Sequence, residues 1–233
     1  MGRLDTQVSE KTNRIMKRLT VSLTFFLCLL TFGLAQQKSI VPLADPFILL
    51  DGDTYYAYGT NDADGIRCYT SNDLRVWKYE GLALNKSNTT ETKWFWAPEV
   101  YHVKGKYIMY YSANEHLYAA TSSSPKGPFV QVGSYQMGSI LDKSDEKCID
   151  SHVFFDVKAN GDTIAYIFFV RFTDGNCIWM CQLEDDLITP RGETLSKCIN
   201  VSQSWEDLMG RVTEGPFLLK RNGKRQATGT RGE

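Results

Sequence analysis

The chain has 233 residues, enough for one domain or most of a larger one. Its 26 Lys+Arg against 27 Asp+Glu leave a formal net charge of −1, without the basic surplus of a nucleic-acid binder. An aromatic content of 12%, much of it Tyr and Phe in short runs with Val, Ile and Thr, points to β-strands.

Residues 1–35 read as an N-terminal extension and signal peptide. Met1 to Ile15 is polar and precedes the leader proper. From Met16 the chain runs through Lys17-Arg18, an apolar stretch from Leu19 to Leu34, and small residues Gly33 and Ala35 at the −3 and −1 positions of a cleavage site. The run is too short, and too interrupted by Ser22, Thr24 and Thr31, for a span of roughly 20 apolar residues. Phe26-Leu27 ahead of Cys28 argues against lipoprotein processing. The expectation is an exported protein cleaved after Ala35, with no membrane span in the mature chain.

The mature chain repeats. Gly52-Asp53-Thr54-Tyr55-Tyr56-Ala57-Tyr58 resembles Gly105-Lys106-Tyr107-Ile108-Met109-Tyr110-Tyr111, Gly161-Asp162-Thr163-Ile164 opens a third copy, and Gly223-Lys224 starts a fourth. The period of about 50–60 residues is that of propeller blades. Each glycine marks a tight turn between an apolar strand and an aromatic, β-branched one. A third and a fourth strand follow in the first three units: Gly65 to Thr70 then Val76-Trp77, and His116 to Thr121 then Phe129-Val130. In the third unit the run Cys177 to Leu183 is followed by the turn Glu184 to Leu187. Four antiparallel strands per unit make a propeller blade; a stacked β-sandwich would not need a glycine hairpin at a fixed place in each unit.

One of the six cysteines lies in the leader. The odd set that remains, Cys68, Cys148, Cys177, Cys181 and Cys198, argues against a disulfide framework. Cys177 and Cys181 have no His or second Cys pair to complete a tetrahedral metal site, and read as small buried hydrophobes.

A carboxylate heads the strand before each glycine: Asp45 in Ala44-Asp45-Pro46-Phe47, Glu99 in Ala97-Pro98-Glu99-Val100, Asp150 in Ile149-Asp150-Ser151, and Glu214 in Thr213-Glu214-Gly215-Pro216. First strands line the channel of a propeller, so four acids at equivalent positions are expected to converge at one mouth. Glycoside hydrolysis needs one carboxylic acid to protonate the leaving oxygen and one carboxylate to activate water.

These motifs, in this order and spacing, resemble glycoside hydrolase family 43 from Val41 to about Lys224. The resemblance implies an all-β fold, a five-bladed β-propeller of which about three and a half blades are present. It implies inverting hydrolysis of arabinose- or xylose-containing plant polysaccharides. Asp45 then resembles the general base, Glu214 the general acid, and Asp150 the third acid that orients Glu214 and tunes its proton affinity. Trp96 and Glu99 fall in a motif that lines the sugar pocket. No cofactor is required, although the family leaves room for a central calcium ion. Trp94, Phe95 and Trp96 offer flat faces for a sugar ring, although Trp in such a run is as often blade packing. Arg171 and His152 are candidates for hydroxyl contacts, His152 equally for packing between blades.

Retaining, fructoside-cleaving propellers have an Asn before the first acid and Glu-Cys in the acid motif, where this chain has Ala44 and Gly215. A carbohydrate-binding propeller without catalysis would have no need of all three acids. Asn85, Asn88 and Asn200 match the glycosylation acceptor pattern, which acts only in a eukaryotic host.

The fourth unit breaks off. Residues 36–224 are read as an incomplete propeller, and Arg225 to Glu233 as an aberrant polar tail with no strand pattern, such as a frameshift or a shortened gene would produce. Such a chain is expected to expose the apolar face of its first blade, and to be poorly soluble and inactive as it stands.

Overall fold

The computed structural model describes residues 41–60, 63–132, 146–158, 160–207 and 210–231. The leader and its cleavage point after Ala35 lie outside them.

Three four-stranded antiparallel sheets and one two-stranded sheet follow each other along the chain. The first contains β1 (Ala44–Asp51), β2 (Thr54–Thr60), β3 (Gly65–Ser71) and β4 (Lys78–Asn85). The second contains β5 (Trp96–Val103), β6 (Lys106–Ala113), β7 (His116–Ser122) and the short β8 (Val130–Gln131). The third contains β9 (Cys148–Val157), β10 (Thr163–Phe172), β11 (Asn176–Leu183) and β12 (Pro190–Ile199), and the last pairs β13 (Thr213–Arg221) with β14 (Lys224–Arg231). In every sheet the strands stand in sequence order, as up-and-down blades do. First strands of successive blades lie side by side, β1 against β5, β5 against β9 and β9 against β13.

Two hairpins show why the repeat folds this way. Lys104-Gly105 and Asn222-Gly223 both have positive φ at the two central positions (51° and 74° in each), the primed turn whose twist matches paired strands. The second hairpin overturns the expectation of a structureless tail. β14 pairs with β13 from Arg221↔Lys224 to Thr213↔Arg231. Its Ala227-Thr228-Gly229-Thr230 repeats Ala57-Tyr58-Gly59-Thr60 of β2. A Cβ on Gly59 would lie 2.6 Å from the Ala44 carbonyl, and one on Gly229 would lie 3.0 Å from the Glu214 carbonyl. Both glycines therefore let a second strand press against the kinked head of the first. The tail looked strandless because it lacks aromatics; lying at the edge of its sheet and mostly exposed, β14 can carry Lys and Arg instead.

Strand alternation builds the core between blades. Met109 and Tyr111 of β6 join Tyr58, Ile66, Leu84 and Phe129 between blades 1 and 2. Ile108 and Tyr110 point the other way, joining Val153, Ile167, Phe169 and Cys181 between blades 2 and 3. Phe168, Ile178 and Leu218 fill the third interface. Buried tyrosine hydroxyls find carbonyls, Tyr58 donating to Pro125 and Tyr110 to Leu187, each at 2.5 Å. The two end blades differ. Ile48 and Leu50 of β1 alternate with partly buried neighbours, and Phe217 and Leu219 of β13 with buried ones, yet all four are about half exposed, leaving an apolar outer face on both blades. Cys68, Cys148, Cys177 and Cys181 are buried, as was expected of the last two, and Cys198 is exposed.

Candidate active site

The head of every first strand is kinked. Pairing slips between Ala44 and Phe47, between Trp96 and Glu99, and between Glu214 and Phe217, and the β9–β10 ladder slips beside Asp150. At each kink one residue has left-handed backbone: Asp45 (φ 46°), Ala97 (41°), Asp150 (54°) and Gly215 (55°). These are β-bulges, which re-aim side chains and favour proline because a bulge leaves an N–H unpaired; Pro46, Pro98 and Pro216 follow three of them. Left-handed backbone costs a non-glycine residue about 1–3 kcal/mol, and three such residues ring one mouth.

The bulges correct the expectation of four equivalent acids. Asp45 and Asp150 sit at the left-handed position, Glu214 stands one residue before it, and Glu99 two residues after it. All four still line one cavity of about 330 Å³, together with Phe47, Ser151 and Phe217 and, among the described residues, no Lys or Arg.

Each carboxyl is held differently. Thr60 Oγ1 donates to Asp45 Oδ2 at 2.8 Å. Asn176 Nδ2 donates to Glu214 Oε1. Glu99 receives Tyr101 Oη at 2.5 Å and Val153 N at 3.2 Å, with His152 Nδ1 at 3.1 Å, so its two oxygens are largely engaged by protein. Asp150 is pushed up from its ordinary 3.8 to about 7, first by burial and then by the charges of Glu214 and Asp45, against a hydrogen bond from the Gly215 N–H. A proton is therefore still present among these acids near neutral pH, where an isolated carboxyl would have lost it. The resemblance implied that Asp150 tunes Glu214; the geometry shows the coupling from the other side, with Glu214 acting on Asp150.

Other expected residues lie outside this cavity. Arg171 is buried, paired with Glu146 at 2.6 Å and stacked on Trp179 at 4.4 Å. His152 is buried behind the acids, against Glu99 and the Phe217 ring (4.9 Å), which is the blade-packing alternative. Trp96 lines a neighbouring cavity of about 530 Å³ with Thr60, Lys93, Trp94 and Phe95. There it stacks on Trp94 at 5.7 Å, with Lys93 Nζ 3.8 Å over the Trp94 ring. The motifs did not mark Ser151, whose buried hydroxyl lines the acid cavity with no partner among the described residues, nor Thr60 and Asn176. The signal for Thr60 was its place at the end of the second strand of its blade, where Ser112 stands one residue from the end of β6.

A further cavity of about 550 Å³ opens at the far ends of the strands. Glu184, among its acids, is paired with Arg191 at 2.7 Å, and none of the bulges reaches it. Among the described residues no three His, Cys, Asp or Glu side chains are gathered to hold a metal ion, so they do not by themselves make the calcium site that the resemblance allows. No helix among them is long and apolar enough to cross a membrane.

With this geometry the chain matches known proteins. The crystal structure of an endo-1,4-β-xylanase from Bacteroides thetaiotaomicron VPI-5482 is 43% identical with a TM-score of 0.74, covering 83% of this chain and 65% of that one. The extracellular exo-α-(1→5)-L-arabinofuranosidase of Cellvibrio japonicus (strain Ueda107) is 33% identical over 99 residues, 38% of this chain and 27% of that protein. The extracellular endo-α-(1→5)-L-arabinanase 1 of Bacillus subtilis (strain 168) is 23% identical over 201 residues, 78% of this chain and 57% of that protein. The chain thus spans less than two thirds of the length of each. The profile described as Glycosyl hydrolases family 43 matches residues 39–225, a stretch that holds all four bulges and every carboxyl of the mouth, and the chain belongs to that family.

Proposed function

We propose that this mouth hydrolyses glycosidic bonds of arabinose- or xylose-containing plant polysaccharides by an inverting two-carboxylate mechanism. The observation that carries this reading is the meeting of Asp45, Asp150 and Glu214 in one cavity without a lining cation, with Asp150 raised to about 7. Mutually repelling, half-dry carboxyls are costly to assemble, and such clusters mark acid–base chemistry. Glu214 protonates the leaving oxygen while Asp45, at the exposed side of the mouth, takes the proton of the attacking water. Asp150 receives the Gly215 N–H next to Glu214 and, coupled to the neighbouring acids, holds the proton that the cluster retains near neutral pH. The Ser151 hydroxyl meets a sugar hydroxyl, Phe47 and Phe217 offer apolar walls, and the stacked Trp94–Trp96 ledge takes the adjoining sugar. The leader and the word extracellular in the relatives' names support export.

Turnover of aryl arabinofuranosides and xylosides, with the product anomer followed by NMR, tests this. Asp45→Asn and Glu214→Gln each lower kcat by about 10²–10⁴-fold. Glu214→Gln loses least on substrates whose leaving group needs no proton. The first product carries inverted configuration; retained configuration, or sugar binding without turnover, overturns the reading.

A further inference from the structure

Thr60 is joined to two bulges at once. Its Oγ1 donates to Asp45 Oδ2 at 2.8 Å and accepts the Ala97 N–H at 2.9 Å. A threonine hydroxyl has a single proton, and with the Ala97 amide on a lone pair that proton is directed to the carboxylate. No other hydrogen bond to Asp45 forms among the described residues, so Oδ1 is the oxygen left for a water.

Register shows what is particular about this residue. Thr60 lies opposite Ala44 in blade 1, and Ser112 lies opposite Trp96 in blade 2. Ser112 Oγ accepts the amide of the next blade's bulge, Asp150 N at 3.0 Å, as Thr60 accepts that of Ala97. The blade-to-blade tie is thus a repeated device. In blade 2, however, the residue at the bulge is Ala97, which gives the hydroxyl no carboxylate to donate to. Of these two ties, only that of blade 1 also grips an acid. Gly59, where a Cβ would strike the Ala44 carbonyl, lets the hydroxyl come that close.

We propose that Thr60 is a positioning residue for the general base: its hydroxyl fixes one oxygen of Asp45 and ties it to the left-handed bulge of the neighbouring blade, leaving the other oxygen to hold the attacking water. This rests on Asp45 being the base, as proposed above.

Thr60→Val keeps the branched shape and removes the hydroxyl; Thr60→Ser restores it. In the full chain, Thr60→Val lowers kcat by about 10–100-fold, the worth of a hydrogen bond to a charged group, with KM nearly unchanged. Thr60→Ser recovers kcat. Wild-type behaviour in Thr60→Val, or equal damage in Thr60→Ser, overturns the proposal. Should wild type turn over no faster than Asp45→Asn, the glycosidase reading fails, and the positioning role is read from crystal structures of the variants. The Asp45 carboxyl leaves its place beside residue 60 in Thr60→Val and returns to it in Thr60→Ser; a carboxyl that keeps its place in Thr60→Val overturns the role. Should Thr60→Val fail to fold, Thr60→Ala and Thr60→Ser are compared in the same way.

Discussion

The first strands of blades 1 and 3 each carry an aspartate at both ends, Asp45 and Asp51 on β1, Asp150 and Asp156 on β9. The two ends of the same strands treat the same side chain in opposite ways. At the far end Asp156 receives Lys220 Nζ at 2.7 Å and Arg225 from blade 4, and these cations hold it below its ordinary range. Asp51 receives Tyr107 Oη at 2.6 Å, with His102 Nδ1 at 3.2 Å, both from blade 2. At the mouth Asp150 meets Glu214 and Asp45 instead and is raised to about 7. What differs is what the neighbouring blade puts beside each aspartate. Far-end pairs hold blades together, whereas the mouth accumulates like charge and left-handed backbone that the rest of the fold must offset.

Asp150→Asn breaks this comparison most directly. A carboxyl raised from 3.8 to about 7 means that the folded state binds more protons than the unfolded one between those values. Stability therefore falls as pH rises through that window. The amide removes the penalty: Tm rises by about 4 °C or more at pH 8, and the gain fades towards pH 4. Turnover falls by about 10²-fold in the same variant. A lower Tm at pH 8, followed by calorimetry, would mean that Asp150 acts like its far-end counterpart.

Asp156→Asn has the opposite sign. The folded state holds Asp156 below its ordinary range, so its contribution is present at neutral pH and lost as pH falls through the folded value. The variant melts a few degrees lower at pH 7, and the deficit shrinks below pH 4. The loss is moderate because Lys220 and Arg225 are exposed enough to return to water. A deficit that grows on acidification would refute the assignment.

The two ends were not equally legible in the sequence. The glycine turns and aromatic runs showed the blades because they follow strand period directly, and the acid motifs showed which strands meet at the mouth. The bulge register was hidden: a residue's φ leaves no mark in composition, and acids one or two positions apart looked equivalent. The prolines after Asp45, Ala97 and Gly215 were the available clue. Arg171 was a candidate for a hydroxyl contact, but its partner Glu146 precedes Cys148 in a stretch without strand pattern. Far-end pairs such as Asp156 with Lys220 join residues distant in sequence, and only the packing of blade on blade brings them together. The β14 strand was missed because aromatic content was taken as the mark of a second strand, which holds only where both faces are covered.

The smallest effect separates the two ends most cleanly. Tyr107→Phe deletes the hydroxyl that donates to Asp51 while leaving the ring stacked on His102 at 4.2 Å. Asp51 keeps His102 and is partly open to water, so the loss is that of one hydrogen bond, about 1 kcal/mol, or a Tm lower by about 2–4 °C. Asp51 holds the Tyr107 hydroxyl up at about 12, so the bond is intact at all lower pH and weakens only as pH rises through that value. The deficit is therefore flat from pH 5 to 9, where those of the Asp150 and Asp156 variants change. The two ends of a first strand are roughly 20 Å apart at strand rise, beyond the range of direct coupling. Tyr107→Phe combined with Asp150→Asn should then melt at the sum of the two separate shifts to within about 0.5 kcal/mol. A larger discrepancy in a double-mutant cycle would show that strain at the mouth is transmitted along the strand, and that the far-end pairs are part of the site.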